Sequence, residues 1–302
     1  MKTILITGAT GMIGREVVKA CHARNYKVHY LTTSKSKLSD ETNYKGFYWN
    51  PSENEIDHSC LQGVDAIINL VGASISKRWT DSYKREILTS RTETAKLLVS
   101  TIKANNYPIK HVVSASAIGI YPSSMTNYYE EGYNEKSSSF LGEVVAEWES
   151  AVEAFSELGI TVAKIRIGLV LSMHGGALPE IAKPAKFGAG AAFGTGEQWQ
   201  SWIHVNDLAE MFLFAVDNNL EGIYNGVAPN PMTNGEVTKA VAKTLHKPLI
   251  LPNIPKVAMK LVLGEMHMLL FESQRVCAAK IENAGFEFKF HHLEPALLDL
   301  FS

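Results

Sequence analysis

Eight residues near the start of the chain narrow the choice of fold more than any others: Thr7-Gly8-Ala9-Thr10-Gly11-Met12-Ile13-Gly14. They follow an apolar run, Thr3–Thr7, that reads as a short buried strand. They lead into Ile13–Arg24, whose apolar spacing is helical. Gly8 permits a tight turn. Gly11 lets backbone approach a pyrophosphate with no Cβ between them, and Gly14 lets helix and strand pack closely. The helix start then offers free N–H groups and a positive dipole end to phosphate. Strand, loop and helix together read as the opening of a dinucleotide-binding βαβ unit, with Thr10, Met12, Ile13 and Arg15 placed around the phosphates.

The end of the next strand, Val28–Thr32, separates one dinucleotide from another. A ribose 2′-hydroxyl is usually met there by Asp or Glu, a 2′-phosphate by cations and hydroxyls. The chain continues Thr33-Ser34-Lys35-Ser36-Lys37, and no acid appears before Asp40. Thr33, Ser34 and Lys35, assisted by Arg15, favour NADP over NAD.

Strand-like and helix-like segments alternate through the first half of the chain, the pattern of a parallel sheet with crossover helices. Phe47–Trp49 reads as a brief strand, and Ala66–Val71 as a strand covered on both faces. Thr80–Ala104 is a long helix, His111–Ala115 a strand, Phe140–Leu158 a helix stopped by Gly159, and Thr161–Leu171 the next strand. The expected boundary lies near residue 172: a dinucleotide-binding domain over residues 1–171 and a smaller α+β unit over residues 172–302. Segments near residues 200–230 are candidates to return to the first domain. Beyond the boundary, residues 175–196 carry few element signals. Trp202–Val205 reads as a short strand, and Thr233-Asn234-Gly235-Glu236 as a capping box opening a helix. Phe286–Phe290 reads as a strand and Leu293–Phe301 as a closing helix.

Composition removes several classes of function. Of 302 residues, 46% are hydrophobic and 20% charged, which suits a globular chain. Lys and Arg number 29 against 31 Asp and Glu, and no basic stripe offers itself to nucleic acid or a membrane surface. Cys21, Cys60 and Cys277 stand at no metal-ligand spacing, so no metal is expected, and their odd number suits a reducing compartment. The apolar run after Lys2 is too short for a signal-peptide core. The most apolar later stretch is broken by Lys260, Glu265 and His267. A cytoplasmic protein with a small-molecule substrate is expected.

Several motifs now combine. The spacing TGxxGxxG, the segments Asn69-Leu70-Val71-Gly72-Ala73 and Ser114-Ala115-Ser116, and the run from Trp202 to Ala209 resemble the extended short-chain dehydrogenase/reductase superfamily of nucleotide-sugar epimerases and dehydratases. Ser76-Lys77-Arg78-Trp79-Thr80, Ser90-Arg91, Gly175-Gly176-Ala177-Leu178, Leu263-Gly264-Glu265-Met266 and Ser273-Gln274-Arg275-Val276 resemble one atypical branch with its own C-terminal domain. The resemblance covers essentially the whole chain. It implies a Rossmann-type doubly wound sheet, a cofactor lined by Leu70, Val71, Gly72, Ala115 and Ile167, and hydride transfer at an alcohol or ketone. Ser116 stands where the superfamily's substrate-orienting serine would be. A homodimer through the two long helices is also implied.

One part of the superfamily's chemistry is missing. Its members carry Tyr-xxx-Lys on the helix that follows the serine, the Tyr as acid/base and the Lys to lower its pKa. Here Phe140 and Val144 stand at those positions, and neither moves a proton. Tyr121, Glu131 and Tyr133 are substitutes on paper, although the loop holding the latter two reads first as a solvated polar lid. Arg78-Trp79, in the loop above the expected nicotinamide, is a candidate clamp for a substrate anion or an Arg stacked on a surface Trp. Arg166 interrupts an apolar strand and calls for a buried partner or a substrate. Trp202 closes a segment where nucleotide-sugar epimerases place a diphosphate-binding Arg, and it is counted with the substrate residues. Two readings stay open: an NADP-dependent oxidoreductase or epimerase-like enzyme with altered proton-transfer groups, and a cofactor-binding sensor or scaffold without turnover.

Overall fold

In the computed structural model, which describes all of Met1–Ser302, the apolar runs become strands of one parallel sheet. These are β1 (Thr3–Thr7), β2 (Lys27–Thr32), β3 (Tyr44–Asn50), β4 (Ala66–Asn69), β5 (His111–Ala117) and β6 (Thr161–Ile167). After Gly168 the chain leaves this sheet. Leu169–Leu171 (β7) pairs in parallel with Trp202–His204 (β8), and Gly222–Gly226 (β9) then joins the main sheet beside β6. The resulting order is β9-β6-β5-β4-β1-β2-β3, which reverses between β1 and β4. Ligands of such sheets bind beyond the strand ends at that reversal.

The helices are α1 (Met12–Ala23), α2 (Asp81–Asn105), α3 (Phe140–Glu153), α4 (Ala177–Lys186), α5 (Val205–Asp217), α6 (Asn234–Thr244), α7 (Lys256–Leu263), α8 (Met268–Phe271), α9 (Ala279–Asn283) and α10 (Leu293–Phe301). Thr80 and Ser139 cap α2 and α3 through their hydroxyls. Thr233 and Glu236 form the expected capping box on α6. α1 packs on α5 and α2 on α3, and the main core fills the space between these pairs and the sheet. A second core, with Leu178, Trp202, Val241, Phe290 and Leu297, joins α4, α6 and α10. No helix is long and apolar enough to cross a membrane.

Three expectations are corrected. Thr161–Leu171 is not one strand. A Cβ on Gly168 would lie 2.1 Å from the Ser201 carbonyl oxygen, and the backbone turns there toward β8. Residues 175–196 are not featureless: Gly175 and Gly176 both take positive φ, and Gly176 starts α4. Phe286–Phe290 forms no strand, because the amides of Lys289 and Phe290 donate to the Asp207 carboxylate, each at 3.0 Å.

His204 ties the C-terminal unit to β8 and makes acid stability predictable. It is 1% exposed, its Nδ1 accepts the Asn206 amide at 3.1 Å, and its Nε2 faces Asp299 at 3.4 Å. Burial pulls its pKa down to about 4 despite Asp299. The unfolded chain takes up a proton near pH 6.5, the folded chain only near 4. Stability is therefore full above pH 6.5 and falls as pH drops toward 4, by about 3 kcal/mol for this group. Urea denaturation at pH 7 and pH 4.5 should show that loss, and His204→Asn, which keeps an acceptor for the cap, should flatten it.

Candidate active site

The glycine loop leaves β1 at the sheet reversal. Gly8 takes φ +72°, a conformation glycine adopts without cost. A Cβ on Gly14 would lie 2.2 Å from the Gly8 oxygen and 2.7 Å from the Ala9 Cα, so α1 rests directly on the loop. Gly11 precedes α1 with no side-chain cap and no acid in the first turn, leaving the first N–H groups for a ligand. Gly176 likewise starts α4 without a side-chain cap. Cβ positions on Gly175 and Gly176 would lie 3.6 and 3.4 Å from Met12 Sδ. Two uncapped helix starts thus meet at one loop, an arrangement suited to a pyrophosphate.

The strand ends beside the loop are locked by side chains. Thr7 Oγ1 donates to Asn69 Oδ1 at 2.7 Å and accepts the amides of Leu70 and Val71 at 3.0 and 3.2 Å. Asn69 donates in turn to Ser114 at 3.1 Å. Past β2, Thr33 and Lys35 are exposed and Ser34 is half-buried. The Lys35 ammonium lies 4.9 Å above the Tyr48 ring. Arg15 is exposed, with Nε donating to the Thr10 carbonyl at 3.1 Å. No carboxylate pairs with Lys35 or Arg15. This end fits a 2′-phosphate, and the loop fits a pyrophosphate.

A cavity of about 210 Å³ lies beyond the ends of β5 and β6. Ala117, Ile118, Ile167 and Gly168 form its sheet side, and Val144 and Trp148 of α3 form a wall. Its ionisable lining groups are Arg91 of α2 and Glu272, which follows α8. Burial pushes the Glu272 carboxyl up, while hydrogen bonds from Gln274 and Ser139 oppose the rise. Ser139 is the residue just before Phe140, so an acid from the C-terminal unit stands beside the position where the superfamily has its Tyr.

The residues expected at the site divide. Ile167 lines the cavity, Gly72 lies against Arg91, and Ala115 is buried within β5. Ser116 is 2% exposed and donates its hydroxyl to Glu149 at 2.6 Å, outside the cavity lining. Arg166 holds both oxygens of Glu149, at 2.8 and 2.9 Å, and donates to the Tyr121 hydroxyl at 3.0 Å. Tyr121 donates onward to Asn225 at 2.8 Å. Burial pushes the Glu149 carboxyl up, but the bonds and charge of Arg166, with Ser116, outweigh it and hold the group below its usual range. Arg166 and Tyr121 therefore belong to a satisfied network inside the protein: Arg166 has the buried partner its position called for and not a substrate, and Tyr121 is corrected as a substitute proton donor.

Glu131 accepts the Asn225 amide at 2.8 Å, and Tyr133 bonds Glu135 and packs edge-on against Tyr129. The loop holding them is largely exposed, at Glu130, Gly132 and residues 134–136, as expected of a solvated polar loop, but its start is anchored to the fold. Tyr128–Tyr129 pairs with Arg275–Val276, and Tyr129 is fully buried against Tyr121. Trp202 is fully buried in the second core with Nε1 on the Asn230 carbonyl, so it reaches no substrate. Trp79 is buried against Phe140 while Arg78 is exposed, so the two form no clamp. Arg91 stands in the Ser90-Arg91 motif without an expected role, and Gln200 and Glu272 were not expected at the site, because α2, the β8 approach and the C-terminal unit meet only in the folded chain.

The fold and the loop define a Rossmann-type NAD(P)-binding protein. The model of the NAD dependent epimerase/dehydratase family matches residues 4–226, and a domain of unknown function, DUF1731, matches residues 254–300. The chain belongs to the NAD dependent epimerase/dehydratase family. It is 36% identical to an epimerase family protein of Staphylococcus aureus (strain MRSA252), over 100% of both chains. Among solved structures it is similar to the human epimerase family protein SDR39U1 (isoform 2) with NADPH. That match has 27% identity and a TM-score of 0.85, over 99% of this chain and 98% of the other. It is also similar to a nucleoside-diphosphate sugar epimerase from Corynebacterium glutamicum, with 29% identity and a TM-score of 0.79 over 99% of this chain, which spans 58% of that one.

Proposed function

We propose that the protein binds NADP and uses it to oxidise or reduce a small alcohol or carbonyl substrate in the cavity beyond β5 and β6. The observation that carries this reading is the continuity of the site: the acid-free end of β2, the glycine loop after β1 and the cavity beyond β5 and β6 follow one another along the strand ends, in the order of a dinucleotide's parts. The human relative is described with NADPH, which agrees. When bound, the cofactor supplies a hydride acceptor or donor at its nicotinamide. The chain's own share is to hold the phosphates at the starts of α1 and α4, to present an apolar wall from Ala117, Ile118 and Gly168, and to exclude water there.

Proton transfer then takes a different route from the superfamily's. Phe140 and Val144 are inert, and Ser116 is committed to Glu149. Glu272 is the one carboxyl on the wall, and burial raises its pKa above the ordinary carboxylate value, which makes it the candidate proton-transfer group. The apolar pair on α3 favours a second reading, a cofactor-binding protein without turnover. A titration followed by nicotinamide fluorescence separates the cofactor arguments. NADPH should bind more tightly than NADH, and Lys35→Ala should weaken NADPH by roughly tenfold while leaving NADH unchanged. Equal affinities in the parent protein would contradict the 2′-phosphate assignment. A screen of carbonyl compounds with NADPH then separates enzyme from silent binder, and Glu272→Gln should remove any turnover found.

A further inference from the structure

Arg91 is a half-buried guanidinium on the cavity wall with no acidic partner. Its Nη1 donates to the Ile87 carbonyl at 2.7 Å and its Nη2 to the Ala73 carbonyl at 3.2 Å. A guanidinium carries five N–H donors, so three find no acceptor in the protein. No carboxylate forms an ion pair with it, Glu272 included. Trp148 stacks on it at 5.1 Å, and a Cβ on Gly72 would touch its Cζ at 2.8 Å. The group is therefore held rigidly between α3 and the cofactor-side loop, on the cavity wall. Burial with no acidic partner lowers its pKa to about 10, which still leaves it charged at neutral pH.

Two residues of the cavity lining carry a buried polar atom without a partner, and Trp148 Nε1 is the first of them. Gln200 Oε1 is buried with no hydrogen-bond partner. Buried polar groups left unpaired cost free energy, and a cavity that gathers two of them is built around a missing ligand. The remaining wall is mostly apolar, and the volume admits only a small molecule.

We propose that this cavity binds a small monocarboxylate, its carboxylate on the free donors of Arg91 and its apolar body against Val144, Trp148 and Ile118. The inference rests on the reading of the cavity as the substrate end of the NADP site, and it names the class of substrate. An anion fits because a planar carboxylate matches the fork of a guanidinium.

Calorimetric titration of the NADPH-loaded protein with benzoate and isobutyrate, against benzamide and isobutyramide, tests it. The acids should bind roughly tenfold or more tightly than the amides of the same shape. Arg91→Met should abolish that preference, and Arg91→Lys should keep part of it. The comparison of acid with amide needs no variant, so it stands even where Arg91→Met fails to fold. Acids that bind no better than amides, or that do not bind, overturn the proposal. So does an Arg91→Met protein that loses NADPH affinity and keeps the acid preference, since Arg91 would then serve the cofactor. NADPH affinity is measured in the same cell beforehand, and its absence would sink the cofactor reading instead.

Discussion

Glu149→Ala should destabilise the protein by about 3–5 kcal/mol, the range for removing one partner of a buried ion pair. The side chains of Arg166 and Glu149 are only 6% and 12% exposed, and the substitution leaves a guanidinium in the interior with the Tyr121 hydroxyl as its remaining partner. Ser116 loses its acceptor as well. The double variant Glu149→Leu with Arg166→Met should recover most of the loss, because a well-packed apolar pair often replaces a buried ion pair at little cost. Urea unfolding of the parent, the single and the double variants checks this. A single variant as stable as the parent would show that Arg166 has another anion. The pair also sets a direction with pH. The depressed Glu149 pKa means its contribution is present above the normal carboxylate range and is lost as pH falls through the lower, folded value.

Gly14→Ala is the second large effect, and it falls on the cofactor. Its Cβ would meet backbone atoms, the Gly8 oxygen at 2.2 Å and the Ala9 Cα at 2.7 Å, and backbone cannot swing aside as a side chain can. The helix start must retreat from the loop. We expect NADPH affinity to fall about a hundredfold, equivalent to about 3 kcal/mol, within the cost of overpacking a tight contact. Gly132→Ala is the control, since a Cβ there meets nothing within 4 Å. Thermal unfolding and NADPH titration of both variants distinguish loop displacement from general unfolding: the affinity of Gly14→Ala should fall further than its stability alone explains.

Local chemistry made much of the fold legible. The glycine loop, the buried strands and the capping box each depend on residues adjacent in sequence. So does the acid-free end of β2. What stayed hidden depends on partners far along the chain. Phe286–Phe290 has the composition of a strand, but its amides are taken by Asp207, a residue on α5. Arg166 advertised a buried partner, yet nothing local showed that Glu149 of α3 was that partner or that Ser116 shared it. The superfamily pattern pointed to Ser116 as a substrate contact, while the fold spends its hydroxyl inside. Arg91 belonged to a motif with no role attached, and only the folded chain brings Gly72 and Trp148 against it. Glu272 reaches the cavity only because the C-terminal unit folds back over the strand ends.

The central claim is that the nicotinamide end of NADP enters the cavity beyond β5 and β6. A crystal structure of the NADPH complex tests it most directly. The account predicts the pyrophosphate between the starts of α1 and α4, the 2′-phosphate beside Lys35, and the nicotinamide ring against Ile167 and Gly168 within reach of Glu272. A nicotinamide lying outside that cavity, with Arg91 and Glu272 shielded from it by protein, would contradict the account.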